Sequence, residues 1–262
     1  MKKVKEENIT VDYVWFKRCV DSTFNHKLYP NRDATEAAGF IDELVKELQP
    51  APFSRTLDRG CGNGCHCKQL AAKGFDVTGI DLDSSSIRNA KKWERNSMRC
   101  YRQNMQIPFG TNSFDHVFNF FTSFGYFNDP VDDRQVIANI ISALKPGGTL
   151  VSDYINSAPA ERKLKTAETK EIDGVIYHIT RWTDKKHFFK KIIIDEQLFG
   201  QPMEYIEQAR KFTIDDFDSL FDDHDLQIRN VSGDYQLTQY DKETSPRIIL
   251  IARKIKYEKD NI

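Results

Sequence analysis

Apolar residues first recur at helical spacing. Ala37, Phe40, Ile41, Leu44, Val45 and Leu48 share one face, Asp33 is placed to cap the helix, and Pro50 and Pro52 end it. Upstream, Val11, Val14, Trp15 and Phe16 form a further apolar cluster, so residues 1–50 read as amphipathic helix. From residue 53 the period changes. Arg55-Thr56-Leu57-Asp58 reads as a strand, and a helix through Leu70, Ala71 and Ala72 follows. Asp76–Asp81 is a second strand, and Ser84 opens a helix through Ile87, Ala90 and Trp93. Met98–Gln103 and Phe114–Phe120 are strands three and four. Ile137, Ile140, Ile141 and Leu144 mark a helix, which Lys145-Pro146-Gly147-Gly148 turns into strand Thr149–Tyr154. This alternation predicts a parallel sheet with helices on both faces. Across residues 156–212 the pattern becomes strand after strand. Val175–Trp182 and Phe188–Ile194 are joined through Asp184-Lys185-Lys186, and Met203–Phe212 follows. That run predicts an antiparallel insertion. A helix at 214–223 and strands near 226–232 and 247–253 restore the α/β pattern.

The bulk numbers narrow the function classes. With 262 residues the chain suits one large domain or one domain with a modest insertion. Lysine plus arginine number 38 against 39 acidic residues, a net charge of -1 that disfavours nucleic acid as a partner. No stretch has the length of a membrane span, and Met1–Asn8 lacks the apolar core of a signal peptide. Five cysteines, three of them inside one glycine loop, do not read as a disulfide framework, so a reducing cytoplasm is expected.

The candidate chemistry begins at Asp58-Arg59-Gly60-Cys61-Gly62-Asn63-Gly64, between a strand and a helix. Alternate glycines let the backbone turn sharply and approach a ligand, and a helix N-terminus offers N–H groups to a carboxylate or phosphate. Asp81 ends the next strand, where a carboxylate accepts bonds from both hydroxyls of a ribose. Loop and acid together imply a nucleoside-containing cofactor. A dinucleotide fingerprint would place glycine or alanine where Cys65 or Cys67 stands. Asp58 would sit badly beside a pyrophosphate, but it suits the ammonium and sulfonium of S-adenosylmethionine.

These residues carry a resemblance. Leu57–Gly64, Leu70–Gly74 and Val77–Leu82 resemble the first two motifs of class I S-adenosylmethionine-dependent methyltransferases. Pro108–Val117 and Leu144–Gly148 resemble the later motifs. The tail, with Gly233-Asp234-Tyr235 and Ser245-Pro246-Arg247, is similar to a bacterial small-molecule branch of that superfamily. The resemblance covers roughly residues 35–155 and the last two strands. It implies a Rossmann-like, doubly wound, mostly parallel seven-stranded sheet, with the antiparallel β insertion before the last helix. It also implies that Gly60, Gly62 and Gly64, with Cys61 between them, line the methionine part, that Asp81 takes the ribose, and that Leu82 packs on the adenine. Asn104 and Met105 stand at the adenine-contact motif, with an amide where the family often has an acid. Asn119, Phe120 and Phe121 end the fourth strand under the donor methyl. An N-terminal segment would fold over the cofactor, with Tyr29 closing the site and Arg32 near the carboxylate.

The resulting division is 1–52, a helical cap; 53–155, the cofactor-binding core; 156–212, a β insertion serving as substrate lid; and 213–262, the end of the core sheet. The activity expected is methyl transfer to a nitrogen or oxygen of a small molecule, with Tyr126 and His178 as candidates for the base. A non-catalytic cofactor binder and a NAD-binding oxidoreductase are the competing readings. Cys61, Cys65, His66 and Cys67 form C-x3-C-H-C without a second ligand pair, so no metal is expected. His66 is placed near the cofactor carboxylate or on the surface. Arg59 departs from the small or aliphatic residue usual there, putting a cation beside a cation site. On that charge argument, Arg59→Leu should leave cofactor affinity unchanged or raise it.

Overall fold

A computed structural model describes residues 28, 34–126, 130–195, 203–222 and 224–256. The N-terminal cluster at Val11–Phe16, the Asp33 cap, Tyr29 and Arg32 lie outside the described residues.

Helix α1 (Ala34–Leu48) presents Phe40, Ile41 and Leu44 to the core. Strand β1 (Arg55–Arg59) runs into the glycine loop and α2 (Cys65–Ala72). Then come β2 (Asp76–Asp81), α3 (Ser84–Ala90), β3 (Met98–Arg102), β4 (Phe114–Asn119), α4 (Pro130–Ala143) and β5 (Leu144–Ile155). Asp83, and not Asp81, caps α3 by accepting from the Ser85 and Ser86 amides. Pairing of β4 with β5 jumps from Phe114–Leu144 to His116–Thr149, so the Lys145–Gly148 turn is an irregularity within β5, with Gly147 at φ +77°.

Two elements escape the periodicity. They are a short helix, α5 (Ser157–Arg162), and strand β6 (Ala167–Ile172), whose sequence Ala-Glu-Thr-Lys-Glu-Ile is mostly exposed. Strand β6 pairs antiparallel with β7 (Val175–Thr183), which pairs with β8 (His187–Ile194), which pairs with β9 (Met203–Arg210). Helix α6 (Ile214–Asp222) opens on a capping box, with Thr213 and Asp216 exchanging side-chain and backbone bonds. Strands β10 (Leu226–Ser232) and β11 (Arg247–Lys254) complete the larger sheet.

The larger sheet has seven strands in the order β10-β11-β5-β4-β1-β2-β3. All run parallel except β11, antiparallel to both neighbours. One face is covered by Val136, Ile137, Ile140 and Ile141 of α4 with Phe217 and Phe221 of α6. The other is covered by Phe40, Ile41 and Leu44 of α1, Cys67 and Leu70 of α2, and Ile87 and Ala90 of α3. Sheets covered on both faces need near-continuous apolar strands, which Ile248–Ala252 of β11 supplies. The β6–β9 sheet keeps a cluster of its own, built on Tyr177, Ile179, Ile192, Ile194 and Tyr205, and Leu28 is buried in it. Strand order places the carboxyl ends of β1, β2 and β4 side by side, and a ligand crevice belongs there.

His116 on β4 is buried, its ring packs near Phe75 and Phe118, and its Nδ1 has no partner. Burial pushes its pKa below the ordinary 6.5. Below pH 6.5 the unfolded chain therefore takes up a proton that the folded chain refuses, and stability falls with pH. Urea unfolding at pH 7.5 and 5.5 should show a smaller acid loss in His116→Phe than in the parent. Equal losses would remove His116 from the cause.

Candidate active site

The loop after β1 is built on left-handed glycines, with φ of +86° at Gly60, +52° at Gly62 and +79° at Gly64. Side chains with a Cβ rarely adopt this region, so the residue type and the turn require each other. The Gly60 and Cys61 amides donate to the Ile80 carbonyl, tying the loop to β2. Asp81 then fixes it from the other side, accepting from the Gly62 amide on Oδ2 and from the Asp83 amide on Oδ1, both at 2.9 Å. A carboxylate oxygen can accept more than one bond, so the acid can also receive ribose hydroxyls. Gly64 caps α2 without a side-chain bond, which leaves the helix N-terminus to a ligand's carboxylate. These features fit the aminoacyl and ribosyl parts of S-adenosylmethionine.

The other predicted positions divide. Leu82, Asn104 and Met105 are half-buried, and the Met105 methyl would lie 3.7 Å from a Cβ on Gly60. Asn104 Oδ1 accepts from the Gln106 amide. Asn119 is buried, and its Nδ2 donates to the Arg59 carbonyl at 2.8 Å, tying the end of β4 to the start of the loop. Phe120 is packed among Phe40, His66 and Phe118. His66 is not on the surface; it is buried against both Phe120 and Phe121. His178 is exposed on β7, beside Thr169 and Asp195, and does not join this group. Asp58 is buried, its Oδ2 accepting from the Cys67 thiol and its Oδ1 without a partner. Burial raises its pKa to about 7.

Arg59 does not sit in the crevice. It is fully buried, and its Nη2 donates to the Met105 carbonyl, which also accepts from Asn139 Nδ2 at 3.3 Å. Burial lowers the guanidinium pKa to about 10, so the charge persists at neutral pH. The side chain braces the segment at Met105, where the resemblance expects the adenine, from within the core.

A second group of residues lay hidden in the sequence. Phe121 and Thr122, just past β4, both have left-handed φ, at +56° and +58°. Such strain persists only where the surroundings impose it. Here they do so through Asp153 of β5. The Phe121 amide donates to Asp153 Oδ2 at 2.8 Å and the Thr122 amide to the Asp153 carbonyl at 2.9 Å. Arg247 Nε donates to Asp153 Oδ1 at 2.7 Å, Arg247 Nη2 to Thr122 Oγ1, and the Tyr235 hydroxyl to Asp153 Oδ2. Burial drives the Tyr235 phenol far above its usual range, so it remains a donor. The signal available in the sequence was an aspartate inside the apolar run Leu150–Tyr154 and the Arg247 of the tail motif. Nothing local joined them.

This turn forms part of a cleft of about 640 Å3 between the two sheets. Phe121, Thr122, Tyr126, Phe188, Tyr235 and Arg247 line it, with Glu36 and Asp234 also at its walls.

Two predictions follow from these contacts. Asp153→Ala takes a fully buried carboxylate away from the half-buried Arg247, the Phe121 amide and the Tyr235 hydroxyl at once, and should cost about 3–5 kcal/mol in urea unfolding. A loss below about 1 kcal/mol would mean the network holds little. Arg59→Leu removes the brace on Met105 and should weaken S-adenosylhomocysteine binding roughly fivefold, the worth of about 1 kcal/mol. This reverses the expectation from charge alone, and calorimetry showing unchanged or tighter binding would restore it.

Comparison with known proteins bears on the same residues. Residues 56–148 match the family model for a methyltransferase domain. A protein of Geobacillus sp. (strain WCH70) named as a methyltransferase is 26% identical over 226 residues, 82% of this chain and 90% of that one. A solved S-adenosylmethionine-dependent methyltransferase from Clostridium acetobutylicum ATCC 824 has a TM-score of 0.72 at 20% identity, over 89% of this chain and 96% of that one. CalS10, an amino pentose methyltransferase from Micromonospora echinaspora solved with S-adenosylmethionine, has a TM-score of 0.63 at 18% identity, over 97% and 99%. The order of motifs along the chain is thus matched by a methyltransferase family model over residues 56–148, by relatives named as methyltransferases and by a shared fold, and the chain is similar over most of its length to S-adenosylmethionine-dependent methyltransferases.

Proposed function

We propose that the protein methylates a nitrogen or oxygen of a small polar molecule held in the cleft between its two sheets. The observation that carries this reading is the cleft itself. It begins at Phe121, immediately past β4, and its volume suits a small-molecule site. The cofactor supplies both the methyl group and its own leaving group. The protein's share is to align the acceptor and exclude water. The rings of Phe121, Tyr126, Phe188 and Tyr235 offer faces that favour a cationic or polar ring, and Arg247 with Glu36 offers charge at opposite sign. The fold likeness to an amino pentose methyltransferase supports an amine-bearing, sugar-sized acceptor. Of the two base candidates, Tyr126 stands at the cleft and His178 does not. In this reading the β6–β9 sheet, within residues 156–212, is the lid of the acceptor site. The enzyme works in the cytoplasm, without nucleic acid.

The test is a panel of amino sugars, other amines and hydroxylated metabolites, scored by S-adenosylhomocysteine release. At least one should turn over; cofactor binding with no turnover across the panel would favour a non-catalytic binder. For an acceptor so found, Phe188→Ala should raise KM roughly tenfold, equivalent to about 1.4 kcal/mol, while leaving S-adenosylhomocysteine affinity unchanged. Equal losses for both ligands would place the acceptor elsewhere.

A further inference from the structure

Beneath the glycine loop lies a cluster of buried side chains, two of which, Asp58 and Cys61, the resemblance assigned to the cofactor. Cys61 from the loop, Cys67 from α2 and Cys100 from β3 are all buried, and their sulfur atoms lie within 4.8 Å of one another. The Asp58 carboxylate joins them, its Oδ2 3.3 Å from Cys67 Sγ. Cys65, adjacent in sequence, is not in the cluster. The backbone is shaped to admit the sulfurs. A Cβ on Gly79 would meet Cys67 Sγ at 2.8 Å and Cys61 Sγ at 2.9 Å. Three buried thiols alone are compatible with ordinary packing, because a free cysteine behaves as a small hydrophobe. Asp58 is what packing leaves unexplained. It is 1% exposed, its Oδ1 has no partner, and no described basic residue pairs with it. A buried carboxylate held only by a thiol, among groups that are themselves acidic, calls for a positive charge.

We propose that Cys61, Cys67, Cys100 and Asp58 form a structural zinc site under the cofactor loop. Three soft sulfurs and one carboxylate are a tetrahedral donor set for this ion. Zinc bonds of about 2.3 Å to sulfur put tetrahedral sulfurs about 3.8 Å apart, so the cluster needs to contract by no more than about 1 Å. On binding, the three S–H protons leave to solvent and the ion takes the thiolates. The ligands come from four separate elements, so the ion would enter as the chain closes and lock β1, the loop, α2 and β3 together.

The test uses the full chain purified under reducing conditions, with zinc measured by mass spectrometry of the metals. The expected result is close to one zinc per chain in the parent and in Cys65→Ser. In Cys100→Val, which keeps Asp58 and the loop, zinc affinity should fall by at least roughly 100-fold. Cobalt added to chelated parent should give the intense visible bands of a tetrahedral thiolate site, and Cys100→Val should not. Should Cys100→Val fail to fold, the chelated parent decides the matter, because its melting temperature must rise when zinc is restored. Parent protein without zinc that takes up neither ion overturns the proposal, as does zinc retained by Cys100→Val. So does a native mass two units light from a disulfide within the cluster. S-adenosylhomocysteine binding by Cys100→Val, measured in parallel, keeps loss of the ion distinct from loss of the cofactor site.

Discussion

The ion pair between the fully buried Asp153 and the half-buried Arg247 is the interaction on which the working end of this molecule depends. Asp153 comes from β5 and Arg247 from the antiparallel strand β11 beside it. Between them they hold two consecutive residues, Phe121 and Thr122, in a backbone conformation that neither would choose alone. Breaking such a pair is expensive because a largely desolvated charge loses its carboxylate. The same cost that makes the pair a poor source of stability makes it a firm anchor for geometry. The chain past β4 is thereby bent into the cleft wall and cannot continue the strand.

That anchor also joins the two sheets. Tyr154, next to Asp153, is fully buried and donates through its hydroxyl to the Arg210 carbonyl at the end of β9. The Arg210 amide in turn donates to the Gly125 carbonyl, and its guanidinium meets the buried Asp133 of α4 at 3.0 Å. Gly125 has no room for a Cβ, which would fall 2.3 Å from the Tyr154 hydroxyl. The smaller sheet is therefore fastened at the mouth of the cleft by bonds that start from β5. The turn past β4 and the smaller sheet thus share β5 as their reference.

The cofactor side works by a different economy. Three glycines, Asp81 and the Ile80 carbonyl shape the loop almost wholly through backbone bonds. Arg59 supports the neighbouring segment from within the core, a burden that a neutral side chain would not carry. Its remaining Nε and Nη1 are buried without partners, a cost the fold tolerates beside the site.

Much of this was legible before any coordinates. Glycines at alternate positions could only be a tight turn, and an acid ending the next strand could only stand at its rim. Both inferences rest on local backbone geometry, and so did the strand and helix periods of residues 34–155. The exposed strand β6 was not legible, because mostly exposed strands lack apolar alternation. Nor was the burial of Arg59, since its charge predicted exposure or a place beside the cofactor and only the packed core supplied the Met105 carbonyl. His178 shows the converse, a chemically apt residue that strand alternation turned outward. Sequence spacing grouped Cys61 with Cys65, His66 and Cys67. The fold replaced Cys65 and His66 with Cys100, because a helix points adjacent side chains apart while a parallel sheet brings distant ones together. The sequence by itself determined the turn, the acids and the class of cofactor. Which buried charge meets which, and where the cleft between the sheets opens, required residues nearly a hundred positions apart to touch, and only tertiary structure decides that.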